Sequence, residues 1–430
     1  MRLFLNRPVA ILLFAALAFL LTARGFAPAM SKIDSDFPGY FTAAKIVVEG
    51  GDVARLYDNA WFQDQMRLYH IGNKPSEGKF SPFPPPTALL LVPLAQLEPL
   101  NALRVMTGVS VLCLVYAIVL LARILSWSLI DSAVFILLSG NAVIGALRLG
   151  QPYILVSLTC LLGYYAYLNR KPVLAGACFG LFAPIKYFPV VILTYFAYRK
   201  EWKLILGGAT AILAVALTSI GVLGWKIHED FLSSVLGNHL VANMSMQDPF
   251  TASFQSFDTL FRRLFLFDAT LNPGPWMALP RLQVAGVIIT KASIFLAGVA
   301  TLFKLARSAG GNAAAPSIGL LGVLTLLLAP ATATYHFVLL WLPVGLLVDY
   351  FYRQGAHAHA YFILGTYALI GFFPYRFTIP FEGHGGLTVL AYPRLLLLLA
   401  MFTACVYFVW SRVEPAAALP DDSSYPATGS

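Results

Sequence analysis

The sequence predicts an all-α polytopic membrane protein, and three observations predict it. Only 11% of its 430 residues are charged, where an ordinary soluble domain carries about a quarter. Hydrophobic residues make up 59% and the mean hydropathy is +0.74. The apolar residues also gather in runs of about membrane length. A soluble globular enzyme is thereby excluded, and 14% aromatics exclude a disordered chain. The net charge, 29 − 20 = +9, reads as basic cytoplasmic loops holding a topology rather than as a nucleic-acid footprint. Cys113, Cys160, Cys178 and Cys405 lie in apolar stretches with no CxxC spacing, which points to packing and not to disulfides or zinc.

Taken in order, the first apolar run is Pro8 to Ala23 after a basic start. It fits a cleaved signal or a retained anchor, and the anchor is favoured because a polytopic chain needs no cleavage. The most polar stretch follows, 31–82. Within it two surface helices are expected, Tyr40–Val48 and Ala60–Tyr69, with Lys45 and Arg67 reaching lipid phosphates. Phe83–Leu97, opened by Pro84-Pro85-Pro86, is expected to stop at half depth. Further segments near 102–125, 129–147, 152–168, 172–198, 202–224, 282–303, 318–331, 335–351, 360–373 and 387–410 bring the expectation to about 10–13 transmembrane or half-membrane helices.

Basic residues set the orientation. Arg123, Arg170-Lys171, Arg199-Lys200 with Lys203, Lys304 with Arg307, Arg353 and Arg412 mark candidate cytoplasmic ends. Two of these clusters flank the single stretch 172–198, which contains Pro184, Lys186 and Pro189. Both clusters can stay inside only if the stretch is two half-helices turning back at depth, with Lys186 near the tip. Loops 31–82 and 225–280, the Gly150-Gln151 turn, the segment around His336 and loop 374–386 then share the outer side. The domain reading is one integral membrane unit over 1–411, followed by a disordered cytoplasmic tail at 412–430.

The candidate chemistry collects on that outer side. Seven of the 20 acidic residues fall in 31–82: Asp34, Asp36, Glu49, Asp52, Asp58, Asp64 and Glu77. Asp34 and Asp36 follow the first membrane segment directly, where a carboxylate would meet a lipid-linked substrate. The competing reading makes them helix caps. Lys186, Arg148, Gln151, Tyr335 and His336 add cations and hydrogen-bonding groups at segment ends, and Arg394 is a further cation; ionisable groups at membrane depth are costly and tend to be functional. Arg148 and Arg394 also fit snorkelling anchors, His336 an interhelical hydrogen bond, and Asp131 and Asp349 helix-end groups. In 225–280, Phe254, Phe257, Phe261, Leu264 and Phe265 form an amphipathic stripe beside Arg262-Arg263, expected as an interfacial helix or as one wall of a lipid-phosphate cleft. No GxGxxG, Walker, HExxH or GxSxG motif is present.

The order of these features resembles glycosyltransferase family 87. The resemblance rests on Asp36-Phe-Pro-Gly-Tyr40, Ala43-Ala44, Gly50-Gly51, Leu56-Tyr57-Asp58, Phe80-Ser-Pro-Phe-Pro-Pro-Pro86 with Pro93-Leu94, Gly150-Gln151, Gly180 to Lys186 with Pro189, and Tyr335-His336. It implies the C-type glycosyltransferase fold and an extracytoplasmic site in a bacterial plasma membrane. It implies transfer of a hexose, mannose by analogy, from polyprenyl phosphate to a glycolipid or glycan acceptor, with neither cofactor nor metal required. It further implies an acidic base in the first outer loop, best matched by Asp36 with Asp34 as the alternative, and a histidine near the donor phosphate, matched by His336. The chain departs from the pattern at Phe83-Pro-Pro-Pro86, where a Tyr-Pro-Pro type sequence is expected. The rival reading is a transporter or flippase, in which Lys186, Asp131 and Asp349 would line a two-sided path. A single outer cavity holding Asp36, Lys186 and His336 would speak against it.

Overall fold

The computed structural model describes residues 6–412 except 35, 72–77, 244–246 and 309–312; Glu77 and the expected tail beyond Arg412 lie outside the described residues. The chain is an all-α polytopic membrane protein, with no strand among the described residues. Helix α1 (Arg7–Ser31) passes through a π-turn at Thr22–Phe26 and runs eight residues beyond the expected Ala23. Then follow α2 (Phe37–Val48), α3 (Asn59–Leu68), α4 (Pro99–Leu125), α5 (Leu129–Leu137), α6 (Asn141–Arg148) and α7 (Tyr153–Leu168). Helices α8 (Pro172–Leu181), α9 (Phe188–Tyr198), α10 (Trp202–Leu223), α11 (Lys226–Asp230), α12 (Leu236–Leu240) and α13 (Phe257–Phe265) come next. The series closes with α14 (Pro280–Ser308), α15 (Ala314–Leu328), α16 (Trp341–Arg353, led in by a 3-10 stretch, Thr334–Leu340), α17 (His357–Phe372) and α18 (Pro393–Arg412).

Six helical stretches are long and apolar enough to cross a membrane, and α5 with α6, bent by 75° at a short break, would add a seventh. Residues 83–97 form only two short 3-10 helices, Pro85–Leu89 and Val92–Leu94, because prolines remove backbone donors and restrict the residues before them. The stretch 172–198 is two helices, broken around Lys186. Its return is visible in α8 and α10, whose first turns touch: a Cβ on Gly176 would lie 1.8 Å from the Leu204 carbonyl oxygen, and one on Gly207 2.1 Å from that of Val173. The ends at Lys171 and Trp202 therefore sit together, as a hairpin requires. Other basic ends meet likewise. Arg353 donates to the Leu125 carbonyl at 3.1 Å, and Lys304 to that of Trp410 at 3.2 Å. Asp349 accepts from Trp127 and Arg353, and Asp131 pairs with its helix-start Ser128, so both carboxylates are helix-end groups.

Two expectations about the polar loops are corrected. Helix α2 is not a headgroup-layer helix: Phe37, Tyr40, Phe41, Ala43, Ala44 and Ile46 are fully buried, because its partners are the starts of α4 and the 78–95 segment. Lys45 pairs with Glu49 and lies over the Tyr69 ring, while Arg67 forms an exposed pair with Asp64. Helix α13 is not interfacial either. Its arginines are buried: Arg262 donates to the Val241, Ala242 and Pro249 carbonyls, and Arg263 to Phe250 and Glu382. They tie residues 241–242 and 249–250 to α13.

The α8–α10 contact has no room for side chains, and its neighbour is backbone that cannot swing aside. Gly176→Val or Gly207→Val should destabilise the protein by about 1–3 kcal/mol or more, whereas Gly221→Ala, with open space around it, should stay near wild type. Thermal melting of the detergent-solubilised variants checks this.

Candidate active site

The end of the bundle opposite the basic clusters holds a cavity of about 330 Å³. Its wall includes Asp36, Lys79, Lys186, His239, Tyr335 and His336. It is assembled from the start of α2, the 78–84 segment, the tip between α8 and α9, Phe231, α12, Gln247 and the turn between α15 and α16.

Asp36 occupies the cap position of α2, yet its side chain makes no capping bond. It accepts instead from Gln151 Nε2 at 2.7 Å. Gln151 is buried, and its Oε1 accepts from Tyr40 Oη at 2.7 Å; Tyr40 Oη in turn accepts from Lys186 Nζ at 3.3 Å. Donation therefore runs one way, from Lys186 through Tyr40 and Gln151 to Asp36. Local sequence explains the alignment. Tyr40 lies four residues after Asp36, one helical turn on, and so shares its face. Gly150 has φ +62° and a Cβ there would meet Phe37 at 2.9 Å, so only glycine lets the turn deliver Gln151 against α2.

Aromatic rings cage the lysine. Its Nζ stands 4.6 Å from the Phe83 ring centroid, 4.9 Å from Tyr153 and 5.7 Å from Tyr40. These faces stabilise a cation that would otherwise be poorly solvated. The His336 ring lies 4.7 Å from the same Tyr153 ring, so Lys186 and His336 flank one aromatic side chain. The Ala333 backbone N–H donates to His336 Nδ1 at 3.1 Å. That bond requires a lone pair on Nδ1 and leaves Nε2–H as the ring's donor.

Burial pushes the Asp36 carboxyl above its ordinary range, opposed by the Gln151 hydrogen bond, the Lys186 charge and the Tyr335 hydroxyl. Burial likewise draws Lys79 down to about 8 and His239 down to about 4, the latter with help from Lys186. A carboxylate made more basic by burial, in the wall of a cavity that also holds a cation, is suited to accepting a proton. Among the described residues no three His, Cys, Asp or Glu side chains gather in a metal-holding group.

A family model matches residues 82–330, more than half of the chain, and its description is glycosyltransferase family 87. The chain belongs to glycosyltransferase family 87. This family 87 protein is thus a membrane glycosyltransferase. No curated protein matches it. The matched residues include Gln151, Lys186 and His239, while Asp36, Tyr335 and His336 lie outside them and are joined to them by the fold.

Of the residues singled out in the sequence, Asp36, Lys186, Tyr335 and His336 line the cavity, and Gln151 stands directly behind Asp36. Asp34 and Arg148 form an ion pair with each other, apart from the cavity wall. Arg394 is also elsewhere: it is fully buried, and its guanidinium donates to the Ile370 and Phe373 carbonyls at 2.9 and 2.6 Å, closing the end of α17. Sequence reasoning missed Lys79, Tyr153 and His239. Lys79 had a signal in its place just before Phe80-Ser-Pro; His239 had none in local periodicity.

The Gln151 bond favours the charged form of Asp36, so Gln151→Leu should raise the Asp36 pKa further. A base works only above its pKa, and the acid limb of the pH–activity profile should therefore move to higher pH. An unmoved limb would show that Gln151 does not act on Asp36.

Proposed function

We propose that this glycosyltransferase moves a hexose, mannose by the family's analogy, from a polyprenyl-phosphate donor to a lipid-linked or cell-envelope glycan acceptor. It would do so with inversion, on the extracytoplasmic face of a bacterial plasma membrane. The observation that carries this reading is a cavity with a cluster of charged and hydrogen-bonding groups in its wall that adjoins an apolar groove. The groove, about 600 Å³, is lined by Val191, Tyr198, Phe295, Phe303 and Leu324 among others from α9, α14 and α15. It shares Tyr187, Thr325 and Ala329 with the cavity holding Asp36, Lys186 and His336. A polyprenyl phosphate has this division of properties, an apolar chain ending in a charge. The basic residues at the opposite end of the bundle support that side.

In the mechanism, Asp36 accepts the proton of an acceptor hydroxyl as that oxygen bonds to the anomeric carbon. The bond from that carbon to the phosphate oxygen breaks on the far side, and its electron pair leaves with polyprenyl phosphate. The diester carries one negative charge and the released monoester approaches two, so cationic and N–H donors stabilise the transition state more than the ground state. Lys186 supplies the cation and His336 Nε2–H a directional donor. The transporter reading loses its proposed path, since Asp131 and Asp349 are engaged at helix ends outside the cavity.

Asp36→Asn keeps an oxygen that can accept from Gln151 and should fold, but should lower transfer by about 10²–10⁴-fold. Asp34→Asn, which loses only the partly exposed pair with Arg148, should retain most activity. The assay follows radiolabel from polyprenyl-phosphate-mannose into extracted lipid and glycan acceptors in the presence of purified protein. Equal activity of Asp36→Asn and wild type would remove the base assignment, and transfer from a sugar nucleotide alone would remove the lipid donor.

A further inference from the structure

The place where the cavity meets the groove contains a residue with no part in the scheme above. His239 lines the cavity that holds Asp36 and Lys186, and the next residue of α12, Leu240, lines the apolar groove. Tyr187, which borders both spaces, meets the His239 ring edge-on at 6.3 Å between centroids. Resting on the donor reading above, we propose that His239 is a specificity-determining residue that reads the donor phosphate at this junction, so that the enzyme selects a phosphate carried on a lipid.

The argument starts from where the charge must sit. In a polyprenyl phosphate the phosphate is bonded directly to the first isoprene unit. If the chain occupies the groove, the phosphate can only lie at the boundary formed by Tyr187, Thr325, Ala329 and α12. Lys186 adjoins Tyr187 there and supplies positive charge. An ammonium group is a point charge without strong directional preference, whereas an imidazole N–H fixes the direction of an oxygen. His239 Nδ1 is buried and has no hydrogen-bond partner among the described residues. Buried polar atoms are normally paired, so an orphan on a cavity wall marks a partner that arrives with a ligand. Burial and the neighbouring Lys186 keep the ring neutral, which makes it a donor that adds no second positive charge beside Lys186. A sugar nucleotide would fit poorly, because its polar base and ribose would have to enter an apolar groove.

His239→Leu should lower kcat/KM for a long-chain polyprenyl-phosphate-mannose about tenfold, the loss expected for one hydrogen bond to a charged group, while the acceptor KM stays unchanged. His239→Asn keeps a polar nitrogen near the position of Nδ1 and should remain within about threefold of wild type. His239→Phe keeps the ring volume and carries the same expectation as the leucine variant should the latter fail to fold. Leu240→Ser should lower kcat/KM for the long-chain donor but not for a short citronellyl analogue, whereas the His239→Leu loss should appear with both. Unchanged donor kinetics in both His239→Leu and His239→Phe, or an equal rise in donor and acceptor KM, would overturn the proposal while leaving the donor class intact. A wild-type protein that uses no polyprenyl-phosphate sugar would overturn the donor reading and this inference together.

Discussion

Burying a carboxylate without losing its charge is the constraint around which this end of the molecule is arranged. An isolated ionised group taken out of water costs far more than a domain's net stability, so it must be paired, hydrogen-bonded or neutralised. Here the relay from Lys186 through Tyr40 and Gln151 to Asp36 supplies both hydrogen bonds and an opposite charge. Its four members come from three distant parts of the chain: the start of α2, the α6–α7 turn and the tip between α8 and α9. Each local oddity at those places serves the relay. Gly150 admits the turn, the prolines around Lys186 break a helix that would otherwise carry the lysine past the site, and α2 gives up an exposed face to bring Tyr40 inside.

The same constraint explains why so much of the loop structure at this end is buried. Fixed donors and charges in a cavity wall are worth more where water is kept out and the dielectric is low. Residues 241–242 and 249–250 are held by Arg262 and Arg263, whose guanidinium groups satisfy their backbone carbonyls. Arg394 performs the same task for the end of α17. In all three the charge acts inside the protein as a carbonyl clamp, and the positive residues that read as lipid- or phosphate-facing in the sequence are spent on cover.

How much of this was legible depended on whether the signal was local. Hydropathy and basic flanks are local, and they placed the spans. The conflict between Arg170-Lys171 and Arg199-Lys200 was enough to predict the broken 172–198 hairpin, because a charge rule and a length rule could not both hold for one straight helix. Lys186 between prolines was visible for the same reason. Burial of α2 was not, since an aromatic, weakly polar helix reads alike whether it lies on lipid or under another segment. The destinations of Arg262, Arg263 and Arg394 were illegible because a carbonyl acceptor leaves no trace in side-chain composition. His239 was missed because its significance lies in what it borders across the fold, with no pattern along its own short helix.

The two neighbouring carboxylates show how the fold separates groups that sequence leaves equivalent. Asp34 and Asp36 both reach toward the end of α6, and each finds a partner there: Asp34 takes Arg148, and Asp36 takes Gln151 three residues further on. The two contacts run between the same two segments, yet they differ in kind. The Arg148 side chain is 47% exposed and Asp34 keeps access to solvent, so their attraction is weakened by water and adds little to stability. Gln151 is buried, and a lost partner there would strand polar atoms on Tyr40 and Asp36 at once. The outer pair therefore acts as a guide for the segment ends, while the inner bond sets where the Asp36 carboxylate stands. Of two acids two residues apart, only the one with the neutral, buried partner lines the cavity, where its charge is faced by Lys186 across the space and not cancelled in a direct ion pair.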